Sequence, residues 1–348
     1  MNPLLPIVGS IALGLSLALP AVVKPLLRRW GVLDIPNDRS SHSVTVVRGM
    51  GVAVALAIVI ALVLSLVTGL VAVDRSLVVI IGCMVGAAAV LGWIEDFRGV
   101  SIKVRAGVQL LIGALGTATL ATTIEDSSYW WIPIGAVAVA TYVNAANFLD
   151  GINGISGMHG VVVGLFYSWA GLLSDQLWLT VSGVILAAAF AGFLPWNLGR
   201  GFVFLGDVGS YLLGASIAAI AVTGLLAGVY LEYLFAPVII YLADTFATFL
   251  QRVRRGERLY AAHRQHVYQR LTDTGLSHVQ VSVLVTVFSI LTGAAGFVLA
   301  TARAPQAIAV SLFAAVVVGL YLNSPRIFAA VRRRQNARDV LPADPSQR

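Results

Sequence analysis

LWLTVSGVILAAAFAGFLP, residues 177–195, runs through 19 consecutive positions without a charged side chain. A helix of that length rises about 28 Å, close to the roughly 30 Å of a bilayer's hydrocarbon core. In lipid the backbone polar groups must be satisfied within the segment, and a helix does this. Similar stretches occur on both sides, near 4–27, 50–71, 77–94, 106–122, 129–148, 158–174, 208–225, 229–249, 279–300 and 305–322. Composition agrees: of 348 residues 58% are hydrophobic and 11% charged, with a mean hydropathy of +0.89. Soluble domains carry about 25% charged residues. The expected fold class is therefore all-α, a polytopic integral membrane protein of about eleven transmembrane helices. Residues 1–325 read as one transmembrane domain and 326–348 as a basic, partly disordered tail facing anionic lipid. The first span is expected to stay as a helix, since no Lys or Arg precedes Lys24 to make a signal peptide. The single cysteine, Cys83, leaves no disulfide framework.

The net charge of +7 needs a location. When the connecting segments are divided into two alternating sets, 21 of the 23 Lys and Arg fall in those after the odd-numbered spans, and only Arg75 and Arg303 in the others. Cytoplasmic loops collect Lys and Arg, so the N-terminus is expected outside and the C-terminus in the cytoplasm. The basic excess then marks topology, and no nucleic-acid partner is implied. No fixed-period repeat and no inverted pair of halves is visible.

Polar groups collect at the ends of spans on that same side. They lie in DIPNDRSSHSVTVVRGMG (34–51), GWIEDFRGVSIKVR (92–105), NAANFLDGINGISG (144–157), FLGDVGS (204–210) and RVRRGERLYAAHRQHVYQRL (252–271). Glu95 and Asp96 are adjacent carboxylates, able to bind a divalent metal or to hold a proton between like charges. Asn144 and Asn147 are i, i+3 neighbours on a last helical turn, and the glycines beyond release a loop carrying Asp150 and Asn153. Amides and a carboxylate so placed can read a sugar or base edge and organise a metal shell. Asp207 opens a helix, where it is either an N-cap or, with other acids near, a ligand for a hard cation such as Mg²⁺. His263 and His266 flank Arg264 and would face a phosphate from one side of a helix; no third soft ligand is in register for zinc. His159 reads as a packed histidine. Asp244 reads equally as an intrahelical partner of Thr248 and Arg252 or as a site residue. With no P-loop, dinucleotide fingerprint or Ser-His-Asp arrangement, the residues describe metal-dependent transfer onto or from a membrane lipid. The alternative is a transporter or flippase for lipid-linked or nucleotide sugars, which would place ionisable groups near the midplane.

Taken together and in this order, the five segments resemble the polyprenyl-phosphate N-acetylhexosamine-1-phosphate transferases (glycosyltransferase family 4), the WecA-like branch with its eleven helices more than the MraY branch. The resemblance implies transfer of an N-acetylhexosamine 1-phosphate from a UDP-sugar to undecaprenyl phosphate, with release of UMP. It implies Mg²⁺, with Mn²⁺ able to substitute, a bacterial inner membrane, a cytoplasmic-face site and a product that initiates O-antigen or another cell-envelope glycan. It leaves room for a homodimer. Residue by residue, it makes Asp207 a metal ligand, with Asp150 beside it, and Asp96 with Glu95 the acidic pair for metal organisation or activation of the lipid phosphate. Arg105, helped by Lys103, would meet substrate phosphate. Asn144, Asn147, Asp150 and Asn153 would hold the nucleotide and support the metal, and His263, Arg264 and His266 would contact the diphosphate, His266 in a catalytic role. Arg39, Ser40, Ser41 and His42 match a family signature that a structural loop explains equally well. Three departures stand out: Glu95 where many relatives have Asp, Asn153 in place of a second Asp, and Tyr268 in place of a second His. The HRQHVYQRL form is closer to transferases that begin O-antigen with N-acetylfucosamine or N-acetylquinovosamine.

Overall fold

The computed structural model describes residues 3–35, 45–71, 74–199, 203–257 and 265–339. All eleven expected spans are helical: α1 (Leu4–Arg29), α2 (Gly51–Val67), α3 (Arg75–Arg98), α4 (Ile102–Thr123), α5 (Trp131–Leu149), α6 (Ile155–Leu173), α7 (Leu177–Leu198), α8 (Gly206–Leu226), the pair α9 (Leu231–Phe235) and α10 (Ile239–Arg254), α12 (His278–Leu299) and α13 (Ala304–Asp339). Ten are long and apolar enough to cross a membrane, and α2 is a shorter apolar helix of 17 residues. The chain is a polytopic membrane protein.

Three local features depart from simple spans. The ninth is interrupted by a 3₁₀ turn at Ala236–Val238, where Pro237 has no N–H to continue the α-helical ladder. The last runs on for 36 residues, about 54 Å, so the basic segment from 326 continues as helix through Asp339. A short helix, α11 (Val267–Asp273), lies in the basic loop. Two short strands, β1 (Leu33–Asp34) and β2 (Val46–Val47), pair antiparallel between α1 and α2.

The core centres on α8, which is buried on nearly every side, as expected of a helix apolar all round. It packs chiefly on α3 and α5, with α2, α4, α6, α7 and α9 around the rest of its surface. His159 is a packed histidine: it is buried, its Nε2 is 2.7 Å from the Tyr142 hydroxyl, and its ring stacks on Tyr241 at 3.6 Å.

Candidate active site

The site is built around the first turn of α8. A helix N-terminus leaves its first N–H groups without intrahelical partners. Here Asp96 of α3 supplies the acceptor, its Oδ1 taking the Asp207 N–H at 3.0 Å and its Oδ2 the Val208 N–H at 2.9 Å. The approach is close because two positions lack side chains. A Cβ on Gly92 would sit 2.3 Å from the Asp207 carbonyl oxygen. Gly206 has φ +75°, and a Cβ there would lie 2.6 Å from the Gly49 nitrogen and 2.7 Å from Asp96 Oδ2. The strand leading into α2 is laced to the segment entering α8: Phe204 N–H to the Val47 carbonyl (2.9 Å), Met50 N–H to that of Phe204 (3.0 Å) and Gly51 N–H to that of Leu205 (2.7 Å).

That lacing delivers Arg48, which the sequence reading treated only as a topological charge. Its Nε lies 2.7 Å from Asp96 Oδ1 and its Nη2 2.7 Å from Asp207 Oδ2. Burial opposes the guanidinium's charge, but Asp207 and Asp96 outweigh it and raise its pKa. The Asp96 side chain is fully buried, while that of Asp207 keeps 13% exposure. Asn147, on the last turn of α5, donates to Asp207 Oδ1 (2.7 Å) and to Ser210 Oγ (3.0 Å). Asp150 follows α5 directly. Burial pushes its carboxyl up to about 7, and the charge of Asp207 adds to the rise.

Asp207, Asp96, Asn147 and Asp150 thus come together with Arg48. Glu95 does not act as half of a pair with Asp96. Consecutive helix residues diverge by about 100°, and Glu95 instead accepts from Arg105 Nη1 (2.8 Å) and from the Val100 N–H. Arg105 also reaches the Tyr211 hydroxyl at 3.4 Å, one helical turn beyond Asp207. Lys103 is exposed. Asn144 donates to Gln109 Oε1 of α4 (2.6 Å) and to the Ala140 carbonyl (2.7 Å). Asn153 contributes its carbonyl to the Ser282 hydroxyl at 2.9 Å. His266 stands at the start of α11, with its Nδ1 2.9 Å from Asp244 Oδ1. His263 and Arg264, and the segment Arg39 to His42, lie outside the described residues.

Sequence reasoning missed Arg48, Gln109, Ser210 and Tyr211. The available signals were the glycines beside Arg48 and the four-residue spacing of Tyr211 from Asp207, and both are weak without a partner in view.

Two adjoining cavities form a seam along α5, the first between α5, α8 and α9 and the second between α5 and α10. One, of about 260 Å³, is apolar and is lined by Trp131, Ala138, Ala221, Leu234 and Leu242 among others. The second, of about 510 Å³, shares Thr141 and Leu242 with it and ends among Asn144, Arg252 and His266. From Trp131 to Phe148 the seam follows about 25 Å of helix.

Among the described residues no three His, Cys, Asp or Glu side chains form a preformed metal cage. A hard dication that keeps its waters needs only one or two carboxylates beside a ligand's phosphates. Asp207 and Asp150, with the amide oxygen of Asn147, have that chemistry, whereas Asp96 is committed to the α8 N–H groups and Arg48.

The profile of the family described as "Glycosyl transferase family 4" matches residues 76–225, which include the ends of α3 and α5 and all of α8 but its last residue. A decaprenyl-phosphate N-acetylglucosaminephosphotransferase of Mycobacterium tuberculosis (strain ATCC 25618 / H37Rv) is 28% identical, over 81% of this chain and 79% of that protein. An undecaprenyl-phosphate alpha-N-acetylglucosaminyl 1-phosphate transferase of Escherichia coli O157:H7 is 25% identical, over 78% of each. A phospho-N-acetylmuramoyl-pentapeptide-transferase of Clostridium botulinum (strain Alaska E43 / Type E3) is 32% identical, over 47% of this chain and 48% of that protein. The region that resembles glycosyl transferase family 4 thus holds the ends of α3 and α5 and the start of α8, and similarity to these relatives extends beyond it.

Proposed function

We propose that the chain transfers an N-acetylhexosamine 1-phosphate from a UDP-sugar to a polyprenyl phosphate such as undecaprenyl phosphate, at the cytoplasmic face of a bacterial inner membrane. The observation that carries this reading is a juxtaposition. The seam along α5, apolar where it meets α8 and α9, ends among Asn144, Arg252 and His266, on the same end of α5 that brings Asn147 to Asp207. A lipid tail along the seam would put its phosphate at that end, next to a site whose residues suit a nucleotide diphosphate. The names of the relatives support the substrate classes.

In the reaction an oxygen of the lipid phosphate bonds to the sugar-bearing phosphorus, while the bond from that phosphorus to the bridging oxygen breaks and UMP departs. Phosphoryl transfer asks mainly for positioning and charge neutralisation. Arg252 and His266 are placed to meet the lipid phosphate, and Arg105, held by Glu95, supplies a second cation toward the diphosphate. Asn147 orients the Asp207 carboxylate. Mg²⁺, or Mn²⁺ in its place, held by Asp207 and Asp150 with the Asn147 oxygen, would neutralise diphosphate charge. The product would open the synthesis of O-antigen or another envelope glycan.

The test is to incubate purified protein with undecaprenyl phosphate, Mg²⁺ and a panel of UDP-N-acetylglucosamine, UDP-N-acetylfucosamine and UDP-N-acetylquinovosamine, and to measure UMP. Release with one donor, lost in Asp207→Asn without loss of the folded protein, is the expected result. No UMP from any donor, together with movement of a lipid-linked sugar across vesicles, would replace the reading with a transporter.

A further inference from the structure

The last helix outruns the bilayer. From Ala304 to Leu322 α13 covers about 28 Å, enough for the hydrocarbon core, and it then continues through Asp339. Pro325 has no N–H to offer the Tyr321 carbonyl one turn back, and the Ser324 hydroxyl donates to that carbonyl instead, at 2.6 Å. The helix therefore runs on past the proline and carries Arg326, Arg332 and Arg333 beyond the core.

Between this extension and α11 lies a pocket of about 480 Å³. α11 and its C-terminal turn give it Arg270, Asp273 and Thr274, and α13 gives it the three arginines beside Pro325 and Ala329. Four guanidiniums thus share one lining carboxylate. Arg332 is fixed there: its Nη1 donates to the Thr274 carbonyl, and the guanidinium occupies the space that a Cβ on Gly275, at φ +94°, would take. Arg326 reaches only Asn323 Oδ1, at 3.4 Å. Among the described residues none of the four arginines forms an ion pair. Membrane topology asks for basic residues on this side of the bundle, but not for gathering them in one concavity, where like charges repel.

The pocket adjoins the outer side of α13. Ile308, Leu312, Val316 and Leu320 are exposed at four-residue spacing, and Ile327 and Val331 continue that apolar stripe past the core. Around the helix Arg326 falls between Ile327 and the pocket residues Ala329 and Arg332. It also lies about 6 Å beyond Leu322 along the axis, within the headgroup layer.

We propose that this pocket binds the headgroup of an anionic phospholipid, with Arg270, Arg326, Arg332 and Arg333 around the phosphate and the acyl chains along the α13 stripe. Guanidinium forks match phosphate oxygens, and basic pockets beside membrane spans hold such headgroups. A free phosphate ion offers the same oxygens but gains nothing from the stripe. The site is separate from the one around Asp207 and does not depend on the transferase reading.

The test titrates full-length protein in neutral detergent with phosphatidylglycerol or phosphatidylcholine and counts bound lipid by native mass spectrometry. Wild type is expected to hold phosphatidylglycerol about tenfold more tightly than phosphatidylcholine. Arg326→Gln/Arg333→Gln should abolish that preference. Arg254→Gln/Arg334→Gln removes the same charge from exposed positions outside the pocket and should keep it within about twofold. No preference in wild type, or equal losses in the two double variants, overturns the proposal. A second measurement needs no variant: phosphatidylglycerol with a photoreactive headgroup should label wild type within 270–275 and 325–333, and labelling confined to other segments would sink the assignment. Inorganic phosphate is the third probe. It should leave the melting temperature unchanged where phosphatidylglycerol raises it; stabilisation by phosphate and none by the lipid would make the ligand a free anion and refute the lipid site.

Discussion

Replacing Arg48 with Met removes the cation that joins two carboxylates from different helices. The guanidinium makes two ionic hydrogen bonds of 2.7 Å, to Asp96 and Asp207. Bonds to charged groups contribute about 1.5–3 kcal/mol each, and deleting one partner of a buried ion pair costs about 3–5 kcal/mol. Two features lower the expectation: the Arg48 side chain is 36% exposed, and Asp96 keeps its two backbone donors. A loss of about 2–3 kcal/mol follows once solvent screening is allowed for. Denaturant-induced or thermal unfolding in detergent, in the absence of divalent cations, measures it. Arg48→Lys should recover about half the loss, since an ammonium lacks the planar fork that spans both acids. Mg²⁺ should stabilise Arg48→Met more than wild type, because the two carboxylates then lack a counter-charge. A variant within about 0.5 kcal/mol of wild type, with no greater response to Mg²⁺, would refute the view that Arg48 holds this end of the bundle together.

Gly206→Ala should destabilise by more than about 1 kcal/mol, because it combines a positive φ with contacts of 2.6–2.7 Å to Gly49 and Asp96; a melting curve matching wild type would contradict this. Asp150 has a folded-state pKa of about 7 against an ordinary 3.8. The folded state therefore binds more protons between those values, and this contribution to stability is full below about pH 4 and lost as pH rises to about 7. Asp150→Asn should flatten that slope in a pH series of unfolding measurements. Ala138→Trp, filling the apolar cavity between α5 and α8, should raise the KM for undecaprenyl phosphate about tenfold, from the loss of roughly 1.4 kcal/mol of binding, and leave the KM for the UDP-sugar unchanged. Equal effects on both substrates in steady-state assays would remove the lipid from that cavity.

The spans were legible because bilayer thickness fixes the length of an apolar helix, and that constraint acts on each segment separately. Asp207 and Asn147 could be singled out for a related reason: polar groups at the end of an apolar helix are costly unless something uses them. The break at Pro237 and the run of α13 through Asp339 were harder, since the first needs one residue weighed against a strong apolar average and the second lies in a charged stretch that hydropathy ignores. The two-residue strands have too few side chains to show a period.

What the sequence determined by itself was therefore one-dimensional: which segments span, where basic residues gather, and which polar types sit at the ends. Tertiary structure decided who meets whom. Adjacent carboxylates at 95 and 96 part company because helix geometry turns each to a different neighbour, one to Arg105 and the other to the first turn of α8. Arg48 reaches Asp207 across 159 positions, and Tyr321 reaches Asp244 across 77. Spacing along the chain carries no trace of such pairs, because they exist only once the helices have packed and glycines have let their ends approach.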